Sequence, residues 1–459
     1  MNNSSASEPA PPRRSWPRRF LNRLEVDQAT FYAVALRGWQ LVAGLVSVLL
    51  ISRCFSPELQ GYYYTFYAVL ALQTFFELGL QIVVLNAASH EWAGLSRDAQ
   101  GRIVGQSAAY SRLVSLGRWI AWWYGAVSGL FVVAVGCGGC WFFSRAPSPD
   151  IAWLSPWLTL VLLSGMLLWT LPFSALLEGC NQVTTVNRFR LIQAVCANLV
   201  VWTAIAWGAG LWTAPATMAA RLLCDLYLLG VHSRRFFGAF WRTPTGPTID
   251  WRKEIWPMQW RLAVSGVVSY FEFFLYTPIM FHYRGDVVAG QMGMTWSLLM
   301  AMQAGALAWV QARAPLFGRL VARRDFRELD RVYFRLTTIS VAVLALGAVI
   351  AESCVWGLHA SGHPLAARLL PPLPTGAFLL AIVLYQLPHC QNIYLRAHKR
   401  EPLLVANVIA CLSIGLLVWL LGSHYGPTGA AGGYLAVVAL LILPYKTYLW
   451  WRCRRDWHS

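Results

Sequence analysis

The stretch ATFYAVALRGWQLVAGLVSVLLIS, residues 29–52, decides the fold class of this chain. It is long and apolar, and Arg37 is its only charged residue. A helix needs about twenty mainly apolar residues to cross a bilayer core of about 30 Å. About twelve stretches of that length follow one another along the chain, which predicts an all-α polytopic membrane protein. The predicted spans are residues 29–52, 62–86, 118–143, 152–177, 190–210, 212–231, 258–281, 287–312, 335–357, 367–391, 403–422 and 428–449.

The positive charges lie almost entirely outside these spans and on one side of them. About thirty of the 37 Lys and Arg residues fall on the side of the N-terminus when the chain is threaded back and forth. An excess of Lys and Arg marks the cytoplasmic side of a membrane protein. The sequence therefore predicts a multi-pass protein of the bacterial inner membrane with both termini in the cytoplasm. This distribution also explains the net charge of +17 without a nucleic-acid partner.

A polar segment in the middle of the chain divides it into two halves of six spans each. We expect a disordered basic cytoplasmic tail over residues 1–28 and six-helix bundles over residues 29–235 and 257–452. A cytoplasmic linker over 236–256 would join the bundles, and 453–459 would form a second cytoplasmic tail. Both halves start on the same side of the membrane, which indicates a parallel repeat of the kind found in transporters. The basic stretch 102–118 is typical of an amphipathic helix lying at the membrane surface.

Two arginines within the spans are candidates for binding an anionic substrate. Arg37 in span one and Arg261 in span seven each lie about two helical turns from the cytoplasmic end. Charged residues within spans are costly, and arginine binds phosphate groups through paired donors. These residues could hold a diphosphate in a central cavity. The alternative is that each side chain extends to the nearby membrane surface.

Other polar residues within the spans are candidates for proton coupling or for lining a cavity. Glu272 follows Arg261 on the same helical face, and Gln73, Glu77 and Gln81 recur every four residues as one polar stripe in span two. Span eight contributes Gln303. In span six, Arg221 and Asp225 are four residues apart, which is suited to an intrahelical ion pair.

The sequence contains no motif for a cofactor, a metal or covalent catalysis. None of the lysines ends a glycine-rich phosphate loop, and zinc-protease and serine-hydrolase motifs are absent. We therefore expect a transporter, not an enzyme, driven by an ion gradient, by the substrate gradient or by a partner.

Four short motifs carry a resemblance to a known family: 59–66 (LQGYYYTF), 76–80 (FELGL), 177–183 (LEGCNQV) and 394–402 (YLRAHKREP). The chain resembles the oligosaccharide flippases of bacterial polysaccharide synthesis. These belong to the multidrug/oligosaccharidyl-lipid/polysaccharide (MOP) exporter superfamily. The resemblance implies two six-helix bundles arranged in a V around a central basic cavity, as in MATE transporters.

The implied activity is transfer of a polyprenyl-diphosphate-linked glycan to the outer leaflet for surface polysaccharides such as lipopolysaccharide. Membrane lipids and polymerase or export components are the further partners expected. Two alternatives remain open. A cation or drug antiporter of the same superfamily would use the acidic residues as substrate contacts. A membrane-embedded enzyme of glycan assembly is disfavoured because the predicted far-side loops are short.

Overall fold

The computed structural model describes residues 28–98, 100–145, 150–398, 400 and 402–458. The predicted tail over 1–28 lies outside this part of the chain except for Gln28, which begins the first helix. The helices are α1 (Gln28–Cys54), α2 (Pro57–Leu70), α3 (Leu80–Trp92), α4 (Ser107–Phe143), α5 (Leu154–Gly179), α6 (Val183–Ala206), α7 (Thr213–Leu226), α8 (Trp256–Phe273), α9 (Tyr276–Arg284), α10 (Asp286–Gln311), α11 (Ala314–Ala322), α12 (Phe326–Ala360), α13 (Pro372–Ala397), α14 (Leu404–Val437) and α15 (Leu443–His458).

Short helical segments join or extend several of these helices. Two single α-helical turns are Thr74–Glu77 and Arg234–Phe237, and the 3-10 and π-helical segments are Ala71–Gln73, Gly210–Trp212, Tyr227–His232, Gly238–Trp241, Trp251–Ile255, Pro364–Arg368 and Val438–Ile442. The two strands are β1 (Leu95–Arg97) and β2 (Ile103–Gly105), which form an antiparallel hairpin with Leu95 opposite Gly105.

The described helices account for the predicted number of membrane crossings. Eight are long and apolar enough to span a membrane, or ten if each bent pair counts as one span. The last of these, Leu404–His458, is divided at Gly426, whose φ of 65° and ψ of −147° turn the chain back before Pro427. With that hairpin counted as two spans and α10 added, about twelve crossings form two six-helix bundles. The predicted all-α fold class is confirmed.

Two segments differ from the sequence-based expectation. The predicted surface helix over 102–118 is not a separate helix, because residues 103–105 form β2 and residues 107–118 are the first turns of α4, which continues without a break into span three. The predicted tail over 453–459 is helical as far as His458, within the last helix. The Arg454 guanidinium holds this end in place by donating to Asp330 at 2.6 Å.

The two halves meet where α2 packs against α10. A Cβ atom on Gly61 would lie 2.0 Å from the Asp286 carbonyl oxygen, and one on Gly290 would lie 2.9 Å from the Gly61 nitrogen. The Gln60 side chain donates to the Gly290 carbonyl at 2.8 Å and to the Arg368 carbonyl at 3.1 Å. This contact, which we call the α2–α10 seam, closes the molecule at the end opposite the β1–β2 hairpin.

Candidate functional site

A cavity with several polar side chains in its lining lies between span two and helices α5, α6 and α7 of the first half, with Phe274 of the second half also lining it. Its volume is about 350 Å³. Four of the residues singled out from the sequence line it together: Gln73, Glu77, Arg221 and Asp225. Tyr67, Gln193, Ser164 and Thr74 add further hydrogen-bonding groups, and leucines, an alanine, Met218 and Phe274 complete the lining. We call this space the first-half cavity.

A break in span two presents the polar stripe to this cavity. After α2 the helix tightens into the 3-10 turn Ala71–Gln73 and ends with the turn Thr74–Glu77. Leu78 and Gly79 then adopt left-handed φ angles of 51° and 65°, and the chain continues in α3 at an angle of 43°. A left-handed residue ends a helix because it interrupts the regular hydrogen-bond pattern. Gln73 and Glu77 therefore lie on the last turns before the break, whereas Gln81 lies beyond it in α3 and does not line the cavity.

Hydrogen bonds from two neighbouring helices fix the Asp225 carboxylate. Gln193 Nε2 donates to Asp225 Oδ1 at 2.8 Å, and Thr170 Oγ1 donates to Asp225 Oδ2 at 3.2 Å. Gln193 also donates to the Arg221 carbonyl at 3.1 Å. Among the described residues, no ion pair joins Arg221 to Asp225, so the expected intrahelical pair is absent. The exposed Arg221 guanidinium is therefore available to the space that it lines.

A second polar cluster is buried in the other half and contains the Glu272 carboxylate. Glu272 is 4% exposed, and Cys411 Sγ donates to its Oε2 at 3.0 Å. Lys446, 5% exposed, donates from Nζ to the Tyr385 hydroxyl at 3.1 Å. The other carboxylate oxygen, Glu272 Oε1, is buried and has no hydrogen-bond partner among the described residues. We call Glu272, Tyr385, Cys411 and Lys446 the second-half cluster.

Sequence reasoning missed Lys446, although a signal was present. It is a lysine within the predicted span 428–449, where a charge requires a partner. A lysine so near the end of a span can extend its side chain to the membrane surface. The structure instead directs its ammonium group inward, towards Tyr385.

The remaining candidates lie apart from both polar groups. Arg37 is exposed and donates to Gln311 Oε1 at 2.8 Å, which links α1 to the end of α10. Arg261 is exposed, and its guanidinium carbon lies 5.6 Å from the centre of the Trp260 ring. Neither residue lines the first-half cavity. Gln303 is buried, and its amide nitrogen has no hydrogen-bond partner among the described residues.

The described residues include no group of three or more His, Cys, Asp or Glu side chains arranged to hold a metal ion. The chemistry available in the two polar groups is hydrogen bonding, ion pairing and proton binding. These are the interactions needed to hold and release a substrate or an ion, which is typical of transporters with sites near the middle of the membrane.

Comparison with solved structures shows the fold over more than nine tenths of the chain. No family model and no curated protein matches the sequence. The lipid II flippase MurJ in its inward closed conformation aligns with a TM-score of 0.63 at 12% identity, covering 91% of this chain and 87% of that one. An inward-facing multidrug-resistance MATE transporter of the MOP superfamily gives 0.62 at 12% identity, over 91% and 96%.

A third structure shows that this fold occurs with different cavity chemistry. A MOP superfamily transporter from Pyrococcus furiosus aligns with a TM-score of 0.61 at 11% identity, covering 96% of this chain and 98% of that one. Its description states that a reversed polarity of the binding pocket suggests a different function. This chain therefore has the fold of the MOP superfamily transporters, a polytopic membrane protein of two six-helix bundles arranged in a V.

Proposed function

We propose that this chain is a secondary transporter that flips a polyprenyl-diphosphate-linked oligosaccharide across the bacterial inner membrane for surface polysaccharide biosynthesis. The observation that carries the proposal is the first-half cavity, where amide, hydroxyl and charged side chains converge within a membrane-spanning bundle. Amide and hydroxyl groups suit the hydroxyl groups of a sugar. The similarity to a lipid II flippase supports a substrate carried on a lipid.

The proposed movement is a rocking of the two halves, residues 29–235 and 257–452, about the linker 236–256. The α2–α10 seam would open on the far side while the side with the β1–β2 hairpin closes. Both termini and the hairpin lie in the cytoplasm in this proposal. Arg37 and Arg261 would receive the diphosphate at the cytoplasmic side, because guanidinium groups remain charged and bind phosphate oxygens through paired donors.

Proton binding would accompany the return of the empty transporter, at Glu77 or at Glu272. Glu77 lines the first-half cavity, where its carboxylate can meet water or substrate. Glu272 is enclosed in the second-half cluster, where a proton can be exchanged only through its neighbours. Of the two, Glu77 has the more direct access to a bound substrate.

A cation or drug antiporter is the second candidate function. Glu77 and Asp225 place two carboxylates in the first-half cavity beside a single arginine, Arg221. A cavity with an excess of carboxylate groups attracts organic cations. The similarity to MATE transporters supports this reading as much as it supports the flippase.

Mass spectrometry of lipid-linked sugars in a deletion strain of the native host tests the proposal. Complete oligosaccharide on polyprenyl diphosphate, inaccessible to probes outside spheroplasts, is the result expected for a flippase. An oligosaccharide that lacks one sugar or acyl group would indicate an enzyme of glycan assembly. An unchanged pool, together with new sensitivity to cationic drugs, would indicate the antiporter.

Complementation of that strain with Arg37→Glu tests the proposed diphosphate contact. We expect transport to be abolished while the protein still inserts into the membrane, because a carboxylate repels the diphosphate. Arg145→Glu is the matched control, since Arg145 lies beyond the end of α4 with its guanidinium over Trp141. Full transport by Arg37→Glu would show that this arginine does not bind the substrate.

A further inference from the structure

A cleft separate from both polar groups lies where the β1–β2 hairpin meets the end of span six. Its volume is about 390 Å³, enough for about a dozen water molecules. The lining residues are Arg97, Asp98, Gln100, Gly101, Val231, His232, Arg234 and Arg235. The hairpin supplies one wall, and the π-helical end of span six with the following turn supplies the other.

The charge of this cleft is strongly positive. Three arginines line it: Arg97, Arg234 and Arg235. Among the described residues of the lining, Asp98 alone is acidic. Its carboxylate is already engaged, because Asp98 Oδ1 accepts the backbone N–H of Arg102 at 2.7 Å. The positive charges that line the cleft repel one another, so the cleft favours a bound anion.

Some arginines on the same side of the molecule have carboxylate partners, which the arginines of this cleft lack among the described residues. On the same side of the molecule, Arg112 pairs with Glu91 at 2.8 Å, and Arg190 pairs with Glu178. No carboxylate among the described residues forms an ion pair with Arg97, Arg234 or Arg235. The positive-inside tendency explains arginines on this side of the membrane, but it does not require their convergence around one space.

Hydrogen bonds to neutral groups hold two of the guanidinium groups in place. Arg97 Nη1 donates to Gln182 Oε1 at 2.9 Å, and Arg97 Nε donates to the Gly101 carbonyl at 3.2 Å. Arg235 Nη1 donates to the Gln100 carbonyl at 3.0 Å. These bonds leave other N–H groups of both arginines free and do not neutralise either charge. A site whose donors are fixed in advance loses less entropy when an anion binds.

An exposed apolar strip leads away from the cleft along span six. Leu223, Tyr227 and Val231 are 67%, 55% and 57% exposed, and they recur every four residues on one face of the helix. Val231 also lines the cleft, so the strip begins at its edge. A lipid with its phosphate in the cleft would therefore have its hydrocarbon chain against this apolar strip.

We propose that this cleft binds the phosphate of an anionic membrane phospholipid, with an acyl chain lying against the strip formed by Leu223, Tyr227 and Val231. Basic pockets beside spans on the cytoplasmic side are suited to phospholipid headgroups. The site lies outside the first-half cavity, so the bound lipid would be a resident ligand and not the transported substrate. The proposal does not depend on what the protein transports.

Thermal unfolding of the purified full chain in neutral detergent tests this site. Phosphatidylglycerol should raise the unfolding temperature, whereas phosphatidylcholine and inorganic phosphate at equal concentration should not. We expect Arg234→Gln/Arg235→Gln to weaken the apparent affinity for phosphatidylglycerol about 25-fold, since one arginine near an anionic lipid surface contributes about fivefold. Arg323→Gln/Arg327→Gln removes the same charge from the α11–α12 region and should leave the affinity unchanged.

Each other outcome would overturn part of the proposal. Equal stabilisation by inorganic phosphate would exclude the acyl contact, and equal stabilisation by phosphatidylcholine would exclude the charged site. An equal loss in the control variant would show that only overall charge matters. If the double variant does not fold, Arg234→Gln alone serves, because Arg234 makes no hydrogen bond to the hairpin among the described residues. An unchanged affinity in that single variant would contradict the assignment.

Discussion

At the scale of single residues, the second-half cluster contains a lysine and a glutamate in an apolar bundle. Lys446 donates to the Tyr385 hydroxyl at 3.1 Å, and Glu272 lies in the same buried cluster, where Cys411 donates to its carboxylate. Burying a single charge costs far more than burying a pair with complementary hydrogen bonds. Each of these two residues therefore makes the burial of the other tolerable.

Removing only the lysine should destabilise the protein more than removing both charges. We expect Lys446→Met to lower the free energy of unfolding by about 3 kcal/mol, because it leaves Glu272 buried without a counter-charge. The double variant Glu272→Gln/Lys446→Met should recover most of that loss. Thermal unfolding of the purified variants measures both effects.

Lys253→Met is the matched control for this cycle. Lys253 is 84% exposed in its side chain and lies 3.7 Å from Asp250, so we expect little change on its removal. Additive losses in the Glu272 and Lys446 variants would show that the two residues do not interact.

Candidate residues could be predicted from the sequence where the spacing that marks them lies along a single helix. The four-residue spacing of Gln73 and Glu77 places both on one helical face, and the structure puts that face in a cavity. Arg221 and Asp225, the predicted polar residues of span six, also line this cavity. They form no ion pair with each other, and Gln193 and Thr170 from other helices donate hydrogen bonds to Asp225. A sequence pattern along one helix contains no information about partners that other helices bring.

At the scale of elements, the break between α2 and α3 shapes both the first-half cavity and the contact between halves. A Cβ atom on Gly79 would lie 2.6 Å from Leu262 Cβ in α8. Only glycine therefore satisfies both the left-handed backbone and the close approach of span seven.

We expect Gly79→Ala to destabilise the protein by about 2 kcal/mol or more, from the strained φ together with the overlap with Leu262. Transport should fall as well, because Glu77 lies just before the break. Gly44→Ala is the control: Gly44 lies within α1 with nothing within 4 Å of the added Cβ, so that variant should be neutral or slightly stabilised. Unfolding temperatures would decide, and a neutral Gly79→Ala would show that the helix can re-form across the break.

The α2–α10 seam provides a second prediction about elements. Gly290→Ala would force its Cβ against the Gly61 nitrogen, which belongs to backbone and cannot rotate away. We expect faster hydrogen–deuterium exchange in residues 57–70 and a loss of about 1–3 kcal/mol in stability. Gly432→Ala in α14, with nothing within 4 Å of its Cβ, should leave exchange in that segment unchanged.

Span positions were predictable because a bilayer imposes a length and a composition on every crossing. The breaks inside spans two and seven were not, since apolar composition continues across both bends. The β1–β2 hairpin was also missed, because its strands have three residues each and show no alternating pattern long enough to detect.

At the scale of the whole molecule, the separation of charge predicts the orientation. We expect a fluorescent protein fused after residue 459 to fluoresce, as it does when folded in the cytoplasm. Arg284 ends α9 and Asp286 begins α10, and we expect this turn to lie on the side away from the cytoplasm. Alkaline phosphatase inserted between these two residues should therefore be active outside the inner membrane. If the fluorescent protein were dark and the phosphatase inactive, the proposed topology would be inverted, and the hairpin and its basic cleft would lie outside the cytoplasm.

The pairing of Lys446 with Glu272 also has an electrical consequence. Moving one elementary charge through the membrane potential involves about 2.3 kcal/mol per 100 mV. When the second half moves, the Lys446 ammonium and the Glu272 carboxylate move together, so their contributions to the displaced charge cancel. Voltage across the membrane should therefore act on the cargo and on charges outside this cluster for as long as Glu272 stays ionised, whereas a proton taken up at Glu272 would leave the Lys446 charge for the potential to move.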